Sequence, residues 1–265
     1  MVNDALASAE STDTFVHGED TDLLILLLGK TEARHYPITL VPHQKKTSKK
    51  KRKIWRIRDA QLAYGEMRCR RLLFTHPFTG CDTTARPMGV GKVSINTKMK
   101  NNVALCQSAD TFLNPDASRE EVIQAGDIAM RIIHGGSLST TLGDLRYSEY
   151  KRRVLKGTQA VKAEVLPPTS GSTKHQSLRT YCQVMAWLGI NLDPEQYGYK
   201  IVNGKLRGTI TDLEPAPPEL LKTIYCNCNT GCLRNNCSCK KVNLVCTELC
   251  GKCKGVSCEN TILNL

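Results

Sequence analysis

Nine of the 13 cysteines in this chain lie between Cys226 and Cys258. Their spacing reads C-x-C-x3-C-x4-C-x-C-x6-C-x3-C-x2-C-x4-C. So short a segment has almost no apolar core, so bonds to its sulfur atoms must supply most of its folding free energy. Those bonds are either disulfides or metal–thiolate bonds. Nine is an odd number and we find no secretory signal, so we expect a reducing compartment and favour metal over disulfides.

Zinc explains this number of cysteines if some thiolates bridge two ions. Two tetrahedral four-cysteine sites would leave one thiol over, and we keep this arrangement as an alternative. Three Zn²⁺ ions need twelve bonds, which six terminal and three bridging thiolates supply. We therefore predict a cluster of about three zinc ions, whose ligands are Cys226, Cys228, Cys232, Cys237, Cys239, Cys246, Cys250, Cys253 and Cys258.

The segment YCNCNTGCLRNNCSCKKVNLVCTELCGKCKGVSC resembles the tesmin-type CXC domain, also called the CRC repeat, over all nine cysteines. The resemblance implies a three-zinc module that binds DNA in the nucleus. DNA-binding members carry a tyrosine before the second C-x-C, where this chain has Asn236. We therefore expect contacts to phosphates rather than to bases, made by Arg234, Lys240, Lys241, Lys252 and Lys254.

Two other roles remain open for this segment. Its basic residues would also offset the net negative charge of a nine-thiolate, three-zinc cluster. In that case the module is structural, or it docks onto another protein.

A second basic feature lies near the N-terminus. Residues 45–58 read KKTSKKKRKIWRIR and contain nine Lys or Arg residues and no acid, and the whole chain has a net charge of +12. Such a run is typical of a polyanion-binding segment or a nuclear-import signal. A solvated basic loop that leads into a strand is the alternative.

Two short motifs carry acidic residues. Asp20 and Asp22 lie in HGEDTDLLILLL, and Asp82 lies in FTGCDTTARPMGVGK. Three carboxylates brought together would hold Mg²⁺ or Mn²⁺, which prefer oxygen ligands and can assist phosphodiester cleavage. The same acids are also common at helix caps and turns, where they have no catalytic role.

The two motifs resemble the later part of a PIN-like nuclease of the flap-endonuclease type. The resemblance implies that Asp20, Asp22 and Asp82 are catalytic and that the turn with Gly89, Gly91 and Lys92 touches the DNA backbone. The whole layout, including KHQSLRTYCQVMAWLGINLDPEQYGYK, is similar to transposon-associated invertebrate proteins that end in a CXC module. The family's first strand and its E-A-D-type acids have no counterpart among the 19 residues before Asp20. We therefore expect an N-terminally truncated domain without efficient nuclease activity.

These observations predict an incomplete PIN-like α/β domain, a helical middle segment and a small zinc-stabilised module. The boundaries that we expect are 1–110, 111–200, a Pro-containing linker at 201–221, and 222–260. Strands are predicted at Thr14–His17, Tyr36–Val41 and Lys53–Ile57, and a helix at Leu23–Leu28 capped by Asp20 and stopped by Gly29. The pair Ser118 and Glu121 predicts a helix that ends before Gly135, with a buried face of Val122, Ala125, Ala129, Ile132 and Ile133. A further helix is predicted at Gln176–Leu188.

Composition excludes a membrane protein. The longest aliphatic run, Leu23–Leu28, has six residues, whereas a spanning helix needs about 20. No motif indicates a small-molecule substrate. The most consistent interpretation is a nuclear, zinc-containing, DNA-associated protein, with a Mg²⁺- or Mn²⁺-dependent nuclease and a zinc-built protein-docking module as alternatives.

Overall fold

A computed structural model describes residues 1–42, 53–156, 163–212, 224–229, 231–233, 236–247, 250–256 and 258–261. The chain divides into two compact units, Met1–Thr211 and Asp212–Leu265. The first unit therefore includes both the region expected to be α/β and the helical segment. Most of the basic run, at residues 45–52, and part of the linker, at 213–221, lie outside the described residues.

About half of the described residues are helical. The α-helices described in the first unit are α1 (Val2–Ser8), α2 (Thr21–Lys30), α3 (Ile57–Tyr64), α4 (Glu66–Phe78), α5 (Lys92–Met99), α6 (Val103–Phe112), α7 (Arg119–Ile133), α8 (Leu142–Lys156) and α9 (Ser170–Leu188). The strands are β1 (Thr14–His17), β2 (Ile38–Val41), β3 (Trp55–Arg56), β4 (Tyr199–Val202) and β5 (Lys205–Gly208). Short 3₁₀ turns occur at Ala163–Val165 and Pro194–Tyr197.

A small mixed sheet begins the chain. Strand β2 pairs in parallel with β1 and antiparallel with β3. Helix α2 follows β1, as parallel pairing requires a crossover between the two strands. The predicted strand at Thr14–His17 is confirmed, whereas the one at Lys53–Ile57 is only two residues long. Strand β3 ends at Arg56 because the next residue, the fully buried Ile57, begins α3.

Helix α2 confirms its predicted cap but not its predicted end. The carboxylate of Asp20 accepts the backbone N–H of Asp22, which satisfies one free donor of the first turn. The helix continues through Gly29 to Lys30. A Cβ atom at Gly29 would lie 2.5 Å from Cγ of Leu73. This glycine therefore permits close packing of α2 on α4 instead of ending the helix.

A separate core joins helices α4, α6, α7 and α9. The rings of Phe74, Phe78 and Phe112 are fully buried, with centroids 4.6–5.8 Å apart. Helix α7 has the predicted capping box, in which Ser118 and Glu121 satisfy each other's backbone N–H groups. Its predicted apolar face is also buried. Helix α9 starts at Ser170, earlier than the predicted Gln176, because Thr169 caps it there.

The α/β expectation for residues 1–110 holds only in a coarse sense. Three short strands form one sheet, and helices make up most of the rest. None of the helices among the described residues is both long enough and apolar enough to span a bilayer.

The second unit has almost no regular structure among its described residues. Its one described helix, α10, is the four-residue segment Ser238–Lys241. The buried cluster of this unit consists of eight cysteines, against which Ile224, Cys228 and Leu244 pack. Sulfur atoms thus take the place that aliphatic side chains occupy in the first unit.

Candidate metal centre

The cysteine side chains of the second unit converge. Eight of the nine predicted ligands are buried, with Cys237, Cys239 and Cys250 fully inaccessible to solvent. The ninth, Cys228, is partly buried at the edge of the same cluster. None of these nine cysteines forms a disulfide bond.

The distances between sulfur atoms fit shared metal coordination. The Sγ atom of Cys226 lies 3.8 Å from those of Cys232 and Cys246, and Cys239 lies 3.6 Å from Cys250. A disulfide requires about 2.05 Å. In a tetrahedral zinc site with Zn–S bonds of about 2.3 Å, two sulfur atoms are about 3.8 Å apart. The spacing is therefore that of two ligands on one ion.

Three sets of four sulfur atoms are close enough to surround an ion. In each set all ligand atoms lie within 4.8 Å of one another. The sets are Cys226, Cys232, Cys246 and Cys253; Cys226, Cys237, Cys239 and Cys246; and Cys226, Cys228, Cys232 and Cys237. Together they draw on only seven different cysteines, so three filled sites of this kind must share thiolates. The overlap shows that these thiols form one compact group, as a bridged cluster requires.

Tight backbone turns bring the sulfur atoms together. Cys232, Asn243 and Lys254 have φ values of 54°, 58° and 52°, in the left-handed region that costs free energy for residues other than glycine. At Gly255, with φ of 66°, a Cβ atom would lie 2.7 Å from the carbonyl oxygen of Cys246. Such turns persist only where the surrounding structure stabilises them.

Hydrogen bonds support the cluster from outside. The N–H of Gly251 donates to the carbonyl of Cys226, and the N–H of Cys246 donates to the carbonyl of Asn260. The Asn260 side chain donates to the carbonyl of Leu244 and to Sγ of Cys246, at 2.9 and 3.5 Å. A donor aimed at a sulfur atom stabilises its thiolate form, which is the metal-binding form.

The electrostatic environment differs from one thiol to another. Burial raises the pKa values of Cys226 and Cys239 to about 12. Burial also acts against ionisation of Cys237, but hydrogen bonds from the backbone N–H of Lys240 and from neighbouring thiols lower its pKa to about 7. Thiolates are the species that bind zinc, so a cation is needed to hold the buried sulfur atoms ionised.

The predicted phosphate-binding residues of this unit lie at its surface. Lys241, Lys252 and Lys254 are exposed. Lys240 is partly buried, and its ammonium donates to the carbonyl of Leu233 at 2.7 Å. Arg234 lies outside the described residues.

The three predicted catalytic acids of the first unit do not form a group as compact as that of the cysteines. Asp20 is exposed at the start of α2, and Asp82 is exposed in a turn after α4. Asp22 instead contacts Nε2 of His76, with 2.5 Å between Oδ1 and the nitrogen. Among the described residues, the sets of three or more candidate metal ligands within 4.8 Å consist only of cysteines.

His76 connects two motifs and was not predicted as a site residue. Its Nε2 atom lies 3.2 Å from Nζ of Lys92, the first residue of α5. Gly91 is the N-cap of that helix, and Gly89 has φ of 76° in the turn before it. Burial lowers the pKa of His76, the Lys92 ammonium lowers it further, and the carboxylates of Asp22 and Asp20 oppose this. A buried histidine has no periodic sequence signal, so only the contact itself identifies it.

No match for this chain was found among protein-family models, curated proteins or solved structures. The resemblances to the CXC and PIN-like families therefore stay predictions from the sequence.

Proposed function

We propose that this chain is a zinc-dependent protein whose C-terminal module is built on a multinuclear zinc–thiolate cluster. The observation that carries the proposal is the overlap of the three four-cysteine sets, all of which contain Cys226. Four soft sulfur ligands suit zinc, whereas Mg²⁺ and Mn²⁺ prefer oxygen. The zinc ions would tie together a unit that has little other core.

The number of zinc ions tests this proposal directly. Native mass spectrometry of the full chain, purified with zinc, gives the metal count and the number of displaced protons. A bridged cluster predicts three zinc ions per chain, and two mononuclear sites predict two. A chain that carries no zinc after purification in its presence would overturn the proposal.

We further propose that the protein associates with DNA in the nucleus through phosphate contacts. Exposed Lys241, Lys252 and Lys254 support this association. The positive charge of the module is not in large excess over its negative charge, because a three-zinc, nine-thiolate cluster carries three net negative charges. Five basic and two acidic residues between 224 and 261 roughly balance them. The phosphate attraction must therefore also draw on the basic run at 45–58.

The described end of that run is already partly engaged. The Arg58 guanidinium lies 2.6 Å from the Glu66 carboxylate, and the Lys53 ammonium lies 3.8 Å above the Trp55 ring. The Arg56 guanidinium lies 3.9 Å from the Asp59 carboxylate. The other six basic residues of the run, at 45–52, lie outside the described part of the chain. They are the segment to delete in a binding experiment.

Electrophoretic mobility shift with duplex DNA, repeated between 50 and 200 mM NaCl, tests DNA association. We expect the affinity to fall steeply with salt, by a slope of about 0.9 for each phosphate contact. Changing Lys241, Lys252 and Lys254 to Gln should reduce that slope, whereas the same change at the exposed Lys100, Lys200 and Lys205 should not. Equal behaviour of the two triple variants would contradict a role for the zinc module.

Docking onto another protein is the second candidate for the module. Large apolar side chains are exposed on it: Tyr225, Leu233, Val242 and Val256 are 49–74% accessible. The aliphatic side chains of Leu233, Val242 and Val256 have no donor for a phosphate, whereas protein interfaces use such residues. A module that binds zinc but shows no salt-dependent DNA binding would favour this candidate.

A divalent-metal nuclease is supported only by the meeting of two motifs at His76, which contacts both Asp22 and Lys92. We expect no efficient cleavage of single-stranded, flapped or duplex DNA with Mg²⁺ or Mn²⁺. The control is the triple variant Asp20→Ala, Asp22→Ala, Asp82→Ala. Metal-dependent cutting by the original chain, lost in this variant, would overturn that expectation. A PIN-like, mobile-element-derived nuclease domain remains our proposal for the origin of the first unit.

A further inference from the structure

The first unit contains a cavity of about 600 Å³ between α7, α8 and the start of α9. One wall is apolar and is formed by Pro87, Met88, Met130, Leu166 and Pro168. This volume lies within the range of pockets that bind small organic ligands. The cysteines and the acids Asp20, Asp22 and Asp82 do not line it, although the segment 85–88 of the second acidic motif does.

A buried guanidinium also lines the cavity. Arg179 is only 8% exposed, and it donates to the carbonyls of Gly198 and Thr209 at 3.1 and 2.5 Å. It also donates to the Gln176 side chain, at 3.3 Å. All three acceptors are neutral, and no carboxylate among the described residues lies within 4.0 Å of Arg179. A buried charge without a counter-charge is costly unless a ligand supplies one.

Arg146 reaches the same cavity from α8. It is partly buried, and its guanidinium donates to the neutral carbonyl of Pro167. Within the described part of the chain it too has no carboxylate partner within 4.0 Å. A third arginine of the lining, Arg86, is exposed. The single acid of the lining is Glu164, which is exposed.

Helix α9 and its cap add a stripe of three neutral polar residues that ends at Arg179. Thr169, Ser172, Gln176 and Arg179 lie three or four residues apart and all line the cavity. The first turn of α9 contains no acidic residue, so the positive end of the helix dipole is not neutralised there. Gln176 also donates to the carbonyl of Ala85 at 2.8 Å, which fixes the rim beside Arg86.

We infer that this cavity binds a small organic anion, with an apolar body against the methionine wall and a carboxylate, sulfonate or phosphate group between Arg179 and Arg146. An inorganic anion has no apolar part, so it would leave the apolar residues of the cavity in contact with water. A neutral apolar molecule would leave Arg179 without a counter-charge. The inference is independent of the zinc module, because each residue that carries it belongs to the first unit.

Two fluorescent probes that differ only in charge test the inference on the full chain. One is 1-anilinonaphthalene-8-sulfonate, and the other is N-phenyl-1-naphthylamine, which has the same rings without the sulfonate. We expect the sulfonate to bind saturably at one site per chain and at least tenfold more tightly than the neutral amine. Such a ratio corresponds to one charge-assisted hydrogen bond.

Variants locate the binding site. Arg146→Gln should weaken sulfonate binding roughly tenfold, and Arg146→Lys should retain most of it, since the charge remains. Arg119→Gln, which changes an exposed arginine outside the cavity, should have no effect. Far-ultraviolet circular dichroism of each variant checks that the helices are intact. Equal binding of the two probes, or equal losses for Arg119→Gln and Arg146→Gln, would overturn the inference.

Discussion

At the scale of single residues, Cys226 and Cys228 differ although only Asn227 separates them. Cys226 is buried and belongs to all three four-cysteine sets, whereas Cys228 is partly exposed and belongs to one. A sulfur atom with many sulfur neighbours is the one best placed to bridge two metal ions. The C-x-C spacing makes the two look equivalent, and only their surroundings distinguish them.

Serine variants at these two positions therefore should not behave alike. We expect Cys226→Ser to lose at least one more zinc ion per chain than Cys228→Ser, because a bridging thiolate serves two ions. Inductively coupled plasma mass spectrometry of the purified variants measures the difference. Equal zinc contents would show that Cys226 is not a shared ligand.

His134, which follows the last residue of α7, is partly buried. Burial lowers its pKa, the Lys98 ammonium lowers it further, and Glu149 acts in the opposite direction. The unfolded chain, with a pKa of about 6.5, binds this proton more readily. Stability contributed at this position is therefore present above pH 6.5 and is lost as the pH falls below it. The free energy of unfolding of His134→Gln, measured with urea, should fall less between pH 7 and pH 5 than that of the unchanged protein. An equal fall in the two proteins would contradict this.

At the scale of elements, the close crossing of α7 and α9 depends on one glycine. A Cβ atom at Gly126 would lie 1.8 Å from Oγ and 2.5 Å from Cβ of Ser177. The two helices meet there because neither side chain keeps the backbones apart. Helix propensity alone would favour alanine at this position.

Gly126→Ala should therefore destabilise the first unit by about 1–3 kcal/mol, the usual cost of overpacking. Gly143→Ala is the matched control, because its Cβ would lie 3.6 Å from Thr141 on an exposed part of α8. We expect it to stabilise the protein by up to about 1 kcal/mol. Chemical denaturation measures both changes. Adding Ser177→Gly to Gly126→Ala should restore part of the loss, and no restoration would argue against this contact.

At the scale of the whole molecule, the two units are stabilised in different ways. The first unit buries two apolar clusters, one beneath the sheet and one among α4, α6, α7 and α9. The buried cluster of the second unit is made of cysteines. A protein built in this way should respond to metal removal in one part only.

Chelation of zinc should unfold the second unit and leave the first intact. We expect little change in the circular dichroism signal at 222 nm, since α10 has only four residues. Limited proteolysis should show new cuts after residue 212 and protection of residues before it. A large loss of helical signal on chelation would mean that the first unit also depends on zinc.

Local sequence signals predicted the elements that depend on neighbours along the chain. The caps at Asp20 and Ser118 and the strand at Thr14–His17 are examples. Cysteine number and spacing likewise predicted a metal-binding segment, because a short chain without an apolar core needs such bonds to fold. These features require only residue type and spacing, which the sequence contains in full.

Tertiary structure alone decided the features that depend on distant residues. It continued α2 through Gly29 because Leu73 packs there, and it paired Asp22 with His76, which lies 54 residues away. It also left Arg179 buried among neutral carbonyls beside an apolar wall. Burial and charge pairing arise only when separate elements come together, and local patterns contain no record of which elements will meet.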